Sequence, residues 1–279
     1  MQRVTSANEL NAAIEAAKAN GLEIALVPTM GALHAGHLSL IREARMHAPF
    51  VVVSIFVNPL QFGAGEDFEK YPRTIEDDAE KLDAIGVDVL FTPTVNDLYK
   101  GNMNVTESAG HIGEIFEGAA RPEHFDGMLT VVARLFEAVK PNYAIFGAKD
   151  AQQIFLIRQL AAKKFKNLEI IEAPTVREAS GLAMSSRNRF LSAEHALVAE
   201  NLVAALNAGA AASSGGPTSA VQAARNQMLK APEAKLDYVA LVDADTFEPV
   251  TDGFTGRAIL LIAAVVGETR LIDNIDITF

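Results

Sequence analysis

The sequence contains no cysteine. That absence removes disulfides, thiolate metal sites and cysteine nucleophiles together, and it fits a reducing compartment. A long apolar run is missing as well. The densest stretch, AILLIAAVV from Ala258 to Val266, has about half of the ~20 residues that a bilayer-spanning helix needs, and it reads as a buried strand. The opening residues MQRVTSANEL include no apolar segment of a secretory signal, so a cytoplasmic protein with no membrane partner is expected. Neither a G-x-x-x-x-G-K-[ST] phosphate loop nor an H-E-x-x-H zinc helix occurs. Positive charge is in short supply. Lys and Arg number 24 against 35 Asp and Glu, a net charge of −11, which argues against nucleic acid as the main partner but leaves room for a local basic patch that holds a nucleotide.

What is present is enough apolar material, 49% of 279 residues, for a real core in one large domain or two moderate ones. The first two-thirds alternate. Ser6 and Glu9 form a capping-box pair at the head of a helix over 6–20, stopped by Gly21. LEIALV (Leu22 to Val27) follows as a strand buried on both faces, then a helix from Gly36 to His47, then the strand FVVVSIFV (Phe50 to Val57). Thr74 is placed to cap a helix to Ile85 with acids in its first turn, ahead of a strand over 87–92. A helix over 128–139, a strand over 143–147, a helix over 151–163 and a strand over 168–174 complete the series.

This alternation predicts an α/β fold, a Rossmann-like parallel sheet flanked by helices. The last hundred residues differ: two alanine-rich helices flank SSGGPTS (Ser213 to Ser219), with Pro217 placed to start the second, and strands follow over 236–242, 257–266 and 269–277. A small α+β C-terminal domain over 177–279, after a first domain over 1–176, is the expected organisation.

Nearly every strand of the first domain ends in a polar signature, and the carboxyl edge of a parallel sheet is where open α/β folds bind ligands. After the first comes PTMGALHAGH, with Gly31 and Gly36 allowing close backbone approach and a helix start that favours an anion. His34 and His37 stand three apart. Phosphate contact and a surface pair that only caps local structure are about equally good accounts, and zinc is well behind for lack of further ligands. In GAKD, Lys149 suits a phosphate and Asp150 a ribose, although a surface ion pair is the better account of the dipeptide in isolation. MSSRN (Met184 to Asn188), beside Gly181, reads as a phosphate clamp or equally as a capping turn. RPEHFDG adds Arg121 and a histidine. Gln61 and Gln153 suit a substrate with hydroxyls and a carboxylate, or are solvated amides. First-turn helix acidity explains Asp77 and Asp78 without a magnesium ion.

Taken in order, PTMGALHAGHLSLI, FVNPLQF, YPRT, RPEHFDGMLTVVARLF, FGAKDAQQ and PTVREASGLAMSSRN resemble the pantothenate synthetase (pantoate–β-alanine ligase) family. That family sits within the nucleotidyltransferase-like group that carries a "HIGH"-type signature, here HAGH, with MSSRN standing where relatives carry a "KMSKS" loop. The resemblance runs from about Val27 to Leu191. It implies an ATP-dependent ligase that condenses (R)-pantoate with β-alanine through a pantoyl adenylate, releasing pyrophosphate and AMP, in pantothenate and coenzyme A biosynthesis.

Carried over residue by residue, the resemblance implies that ATP is bound by Met30, Gly31, Ala32, Leu33, His34, Ala35, Gly36 and His37. Gly147, Ala148, Lys149, Asp150, Val176, Met184, Ser185, Ser186 and Arg187 would hold it too. His34, His37 and Lys149 would be catalytic, with His37 as proton donor. Gln61, Gln153, Asn58 and Arg121 would serve pantoate and β-alanine. Magnesium would arrive with ATP, no side chains are assigned as metal ligands, the small domain would close over the site, and the enzyme would be a homodimer. The sequence departs at Ser180, where the family has an acid, and at Phe190, where tyrosine is common. The rival readings are another nucleotidyltransferase of the group, or a nucleotide-binding regulator without chemistry.

Overall fold

The computed structural model describes residues 1–63 and 68–279, and it divides into two compact units: Met1–Ala148 with Gln152–Pro174, and Lys149–Ala151 with Thr175–Phe279. The first unit runs β1 (Gln2–Val4), α1 (Ala7–Ala19), β2 (Ile24–Thr29), α2 (Ala35–His47), β3 (Phe50–Ile55), α3 (Ile75–Ala84), β4 (Val89–Phe91), α4 (Val95–Tyr99), α5 (Glu117–Ala120), α6 (His124–Val139), β5 (Tyr143–Gly147), α7 (Ala151–Lys164) and β6 (Glu169–Ala173). Among the described residues its six strands form one parallel sheet in the order β1-β4-β3-β2-β5-β6.

From β2 the chain builds outward to β3 and β4 on one side, and β5 and β6 lie on the other. The order therefore reverses between β2 and β5, and the crevice outside the carboxyl ends of those two strands is where such sheets take ligands. Apolar side chains of β2, β3 and β5 (Ala25, Val27, Val51, Val53, Ile145) pack against Ile41 and Ala44 of α2 and Ala79 and Leu82 of α3. Each fully buried Val, Leu or Ile side chain there contributes about 1.5–3 kcal/mol relative to exposure. On α6, twelve of the sixteen residues are buried, which makes it a core helix rather than a surface one.

In the second unit α8 (Ala193–Ala211) and α9 (Pro217–Met228) cover a sheet of β7 (Ala234–Asp243), β8 (Arg257–Val266) and β9 (Thr269–Thr278), antiparallel in the order β7-β8-β9. β8 is the expected buried strand, central and covered along most of its length. Small residues let the helices approach: a Cβ on Gly209 would lie 2.5 Å from Leu260 Cδ2 and 2.9 Å from the Ala220 carbonyl oxygen. Among the described residues no helix is long and apolar enough to cross a membrane.

The Ser6–Glu9 capping box and Pro217 at a helix start are formed. Thr74 is not the cap the sequence led us to expect. Its side chain makes no capping bond and instead donates to the Asp78 carboxylate at 3.0 Å.

Candidate active site

β2 ends at Thr29, whose hydroxyl donates to the Ser54 carbonyl of β3 at 2.8 Å and accepts from Gly31 N–H at 3.2 Å. The next two residues both lie in the left-handed region, Gly31 at φ 85° and Ala32 at φ 51°. Glycine is needed at 31, because a Cβ there would meet Ile55 Cγ2 at 3.1 Å and Asp78 Oδ2 at 3.2 Å as well as a positive φ. This turn delivers His34 as the N-cap of α2, in extended conformation.

The two imidazoles then cap the helix reciprocally. His34 Nδ1 accepts from Gly36 N–H at 3.1 Å, and His37 Nδ1 accepts from His34 N–H at 3.3 Å. Their ring centroids lie 4.1 Å apart with a 40° tilt, so both rings occupy one face. Because each Nδ1 is an acceptor from a backbone donor, the neutral rings carry their protons on Nε2. The first turn of α2 itself contains no acid, so the positive end of its dipole favours a bound anion. Two Nε2–H donors at a positive helix end, beside the switch point of the sheet, make an arrangement suited to phosphate oxygens.

Asp78 holds the preceding turn. Fully buried, it accepts from Ala32 N–H (2.9 Å) and Thr74 Oγ1–H (3.0 Å) through Oδ2, and from Leu33 N–H (2.8 Å) through Oδ1. Lys81 Nζ donates to the Leu33 carbonyl at 3.0 Å and lies 3.8 Å from Asp78 Oδ1. First-turn helix acidity thus explains the exposed Asp77 but is an incomplete account of Asp78.

A second polar group forms after β3, where a 3-10 turn over Pro59–Gln61 is capped by Asn58. Asn58 is buried, and its amide is saturated: Oδ1 accepts from Leu60 N–H (3.2 Å) and Tyr99 O–H (2.7 Å), while Nδ2 donates to Gln61 Oε1 (3.3 Å) and to the Gly127 carbonyl (3.1 Å). Burial pushes the Tyr99 phenol well above its ordinary pKa, so it remains a donor to Asn58. Gln61 Nε2 lies 3.0 Å from Met30 Sδ. From α6, His124 Nδ1 donates to the Gln61 carbonyl at 2.7 Å, which leaves Nε2 to accept from Arg121 at 3.0 Å, and Arg121 lies 3.8 Å from Glu117. Met30, Asn58, Gln61 and Arg121 therefore belong to one connected network. Tyr99, with no motif around it, is a member that sequence reasoning missed. Gln153, half-buried in the first turn of α7, stands apart from these hydrogen bonds among the described residues. Its neighbour Gln152 is structural, with Nε2 donating to the Ile112 and Ile115 carbonyls and Oε1 accepting from Glu117 N–H.

In the second unit, a short antiparallel pairing of Arg177 with Ala183 makes a hairpin, and Met184 N–H donates to the Val176 carbonyl at 2.9 Å. Arg177 grips the buried Asp273 of β9 with both terminal nitrogens, at 2.6 and 3.0 Å, in a fork geometry that fixes orientation as well as charge. Asn274 next to it donates to the Lys149 carbonyl at 2.8 Å. Ser185 caps the 3-10 turn over Ser186–Phe190, and Asn188 ties that turn to Glu178 and to the Ala183 carbonyl. The capping-turn account of MSSRN is thus realised, and so is the ion pair of Lys149 with Asp150, at 3.8 Å; neither precludes a ligand. The two departures from the family pattern fall at exposed positions, Ser180 on the hairpin tip and Phe190 with 53% of its surface accessible. Among the described residues no group of three or more His, Asp or Glu is arranged to hold a metal ion.

A family model described as pantoate-beta-alanine ligase matches residues 2–276. A protein named pantothenate synthetase from Thermobifida fusca is 48% identical over 91% of this chain and 90% of its own length, and one from Acidothermus cellulolyticus is 50% identical over 90% and 84%. The crystal structure of pantothenate synthetase from Thermus thermophilus superposes with a TM-score of 0.90 at 42% identity, covering 99% of both chains. That of pantoate-beta-alanine ligase from Francisella tularensis, complexed with beta-gamma ATP and beta-alanine, gives 0.80 at 36% identity over 99% of this chain and 97% of that one. With a match across nearly its whole length and the paired histidines of HAGH set at the switch point of a doubly wound sheet, the chain belongs to the pantoate–β-alanine ligase family.

Proposed function

We propose that this enzyme condenses (R)-pantoate with β-alanine to give pantothenate, a step of coenzyme A biosynthesis, with ATP consumed through a pantoyl adenylate. The observation that carries the reading is the pair of imidazoles, 4.1 Å apart at the N-terminus of α2, whose first turn contains no acid. In the first half-reaction a pantoate carboxylate oxygen bonds to the α-phosphorus of ATP and the α–β bridging P–O bond breaks. Charge accumulates on the departing pyrophosphate, where the Nε2–H groups of His34 and His37 stabilise it, His37 as proton donor. In the second, the amine of β-alanine attacks the acyl carbon, the acyl C–O bond breaks, a proton leaves the nitrogen and AMP departs. No side-chain nucleophile is required, so the protein contributes position and charge neutralisation.

Gln61 and Gln153 hold pantoate, with Asn58 and Arg121 behind Gln61. Met30 to His37 and Gly147 to Asp150 serve ATP, with Lys149 on phosphate and Asp150 on ribose. Val176 meets adenine through its backbone, and Met184 to Arg187 meet the phosphates. The N–H groups of Ala32 and Leu33 are committed to Asp78, so these two residues serve by shape. Magnesium comes with the triphosphate. The enzyme works as a cytoplasmic homodimer on small molecules, with no nucleic acid or membrane as partner, and the net charge of −11 supports the exclusion of nucleic acid.

Isotope transfer tests the adenylate. With pantoate carrying heavy oxygen in its carboxylate, labelled oxygen is expected in AMP, because the oxygen that bonds to phosphorus leaves with it. Label in inorganic phosphate, with ADP as the nucleotide product, would instead mean an acyl phosphate and refute the reading.

A further inference from the structure

We propose that Asp78 is a positioning residue for the first half-reaction, acting through the turn over 31–33 on His34 and His37; the inference rests on the function proposed above. Three facts carry it. The turn is intrinsically unfavourable, with a non-glycine residue, Ala32, at φ 51° directly after Gly31 at φ 85°. Two successive backbone N–H groups of that turn converge on one carboxylate, which also takes the Thr74 hydroxyl, so both oxygens are occupied and the group is wholly buried. The residue after those two donors is His34, whose own N–H is the cap for His37 Nδ1.

Consecutive N–H groups in such a conformation form a concavity that binds an anion. Here the anion is built in, and a charged acceptor fixes the turn more strongly than a neutral one. From Gly31 to His34 each backbone N–H is thereby fixed: by the Thr29 hydroxyl at Gly31, by Asp78 at Ala32 and Leu33, and by the His37 ring at His34. Lys81 closes the arrangement from outside by donating to the Leu33 carbonyl. Asp78 touches neither imidazole. Its effect is on where the Nε2–H groups of both rings point.

Asp78→Asn keeps the shape but sets an amide NH2 against a backbone N–H, so the turn must re-form with one donor unpaired. Pantoate-dependent exchange of pyrophosphate into ATP is expected to fall about 10²-fold, the cost of a misplacement near 1 Å. Aminolysis of chemically prepared pantoyl adenylate by β-alanine, which needs no ATP phosphate contact, should stay within about threefold of the parent. Should Asp78→Asn fail to fold, Thr74→Val removes one donor from the carboxylate and leaves the charge in place; it should lower exchange about tenfold, again sparing aminolysis. Unchanged exchange in a folded Asp78→Asn, or in Thr74→Val if that is the variant that folds, or an equal fall in both half-reactions, would overturn the inference. If the parent itself shows no pantoate-dependent exchange, the functional reading fails and the inference falls with it.

Discussion

His37→Ala should lower the rate of pantoyl-adenylate formation by about 10²–10³, the usual cost of deleting one preorganised donor to developing negative charge. The fold should survive. His37 is half-buried on the first turn of α2, where its ring accepts His34 N–H at 3.3 Å, and loss of that helix cap costs about 1 kcal/mol. Aminolysis of supplied pantoyl adenylate should change little, since the α–β bond is already broken. Rapid-quench measurement of the two half-reactions, alongside a thermal melt, checks this. An unfolded variant, or one that forms adenylate at the parental rate, would remove His37 from the role given to it.

Gly127→Ala should be damaging although it looks conservative on paper. Alanine is the better helix former, and in an exposed helix the change would stabilise by about 1 kcal/mol. Gly127 lies in the first turns of α6 facing the 3-10 turn after β3, and an added Cβ would fall 1.9 Å from the Leu60 carbonyl oxygen, 2.4 Å from its carbon and 2.9 Å from Gln61 N. These are backbone atoms, which cannot rotate aside. The helix or the turn must shift, and the Asn58 bond to the Gly127 carbonyl opens with it. Overpacking of this kind costs about 1–3 kcal/mol, and the displaced Gln61 amide should raise the KM for pantoate about tenfold or more. Denaturant melts and pantoate saturation curves test both halves; a variant as stable as the parent with unchanged pantoate KM would contradict the packing described.

The sheet could be read from the sequence because parallel strands covered on both faces appear as unbroken apolar runs, as LEIALV and FVVVSIFV do. β1 could not, since three residues carry no periodicity. α6 begins at His124 rather than near Met128, and its start has no capping signature: Glu123 stands there in the left-handed region and makes no side-chain cap bond.

At the candidate site, contacts within one motif were legible and contacts across the chain were not. HAGH announces its own geometry, because His34 caps α2 and His37 lies one turn on. Asp78 acts on residues 45 and 46 positions away, and Tyr99 reaches Asn58 across 41. In sequence the one is an ordinary first-turn acid and the other an isolated aromatic. Only the folded sheet brings α3 beneath the turn after β2, and only then does Thr74, a plausible cap by type, turn out to serve the carboxylate instead.

The most direct test of the central claim is exchange of labelled pyrophosphate into ATP, measured with β-alanine absent. The paired histidines, a substrate carboxylate as nucleophile and no protein nucleophile together predict exchange that appears when pantoate is added and is abolished in its absence. Exchange that proceeds without pantoate, or that another acid drives better, would contradict the account.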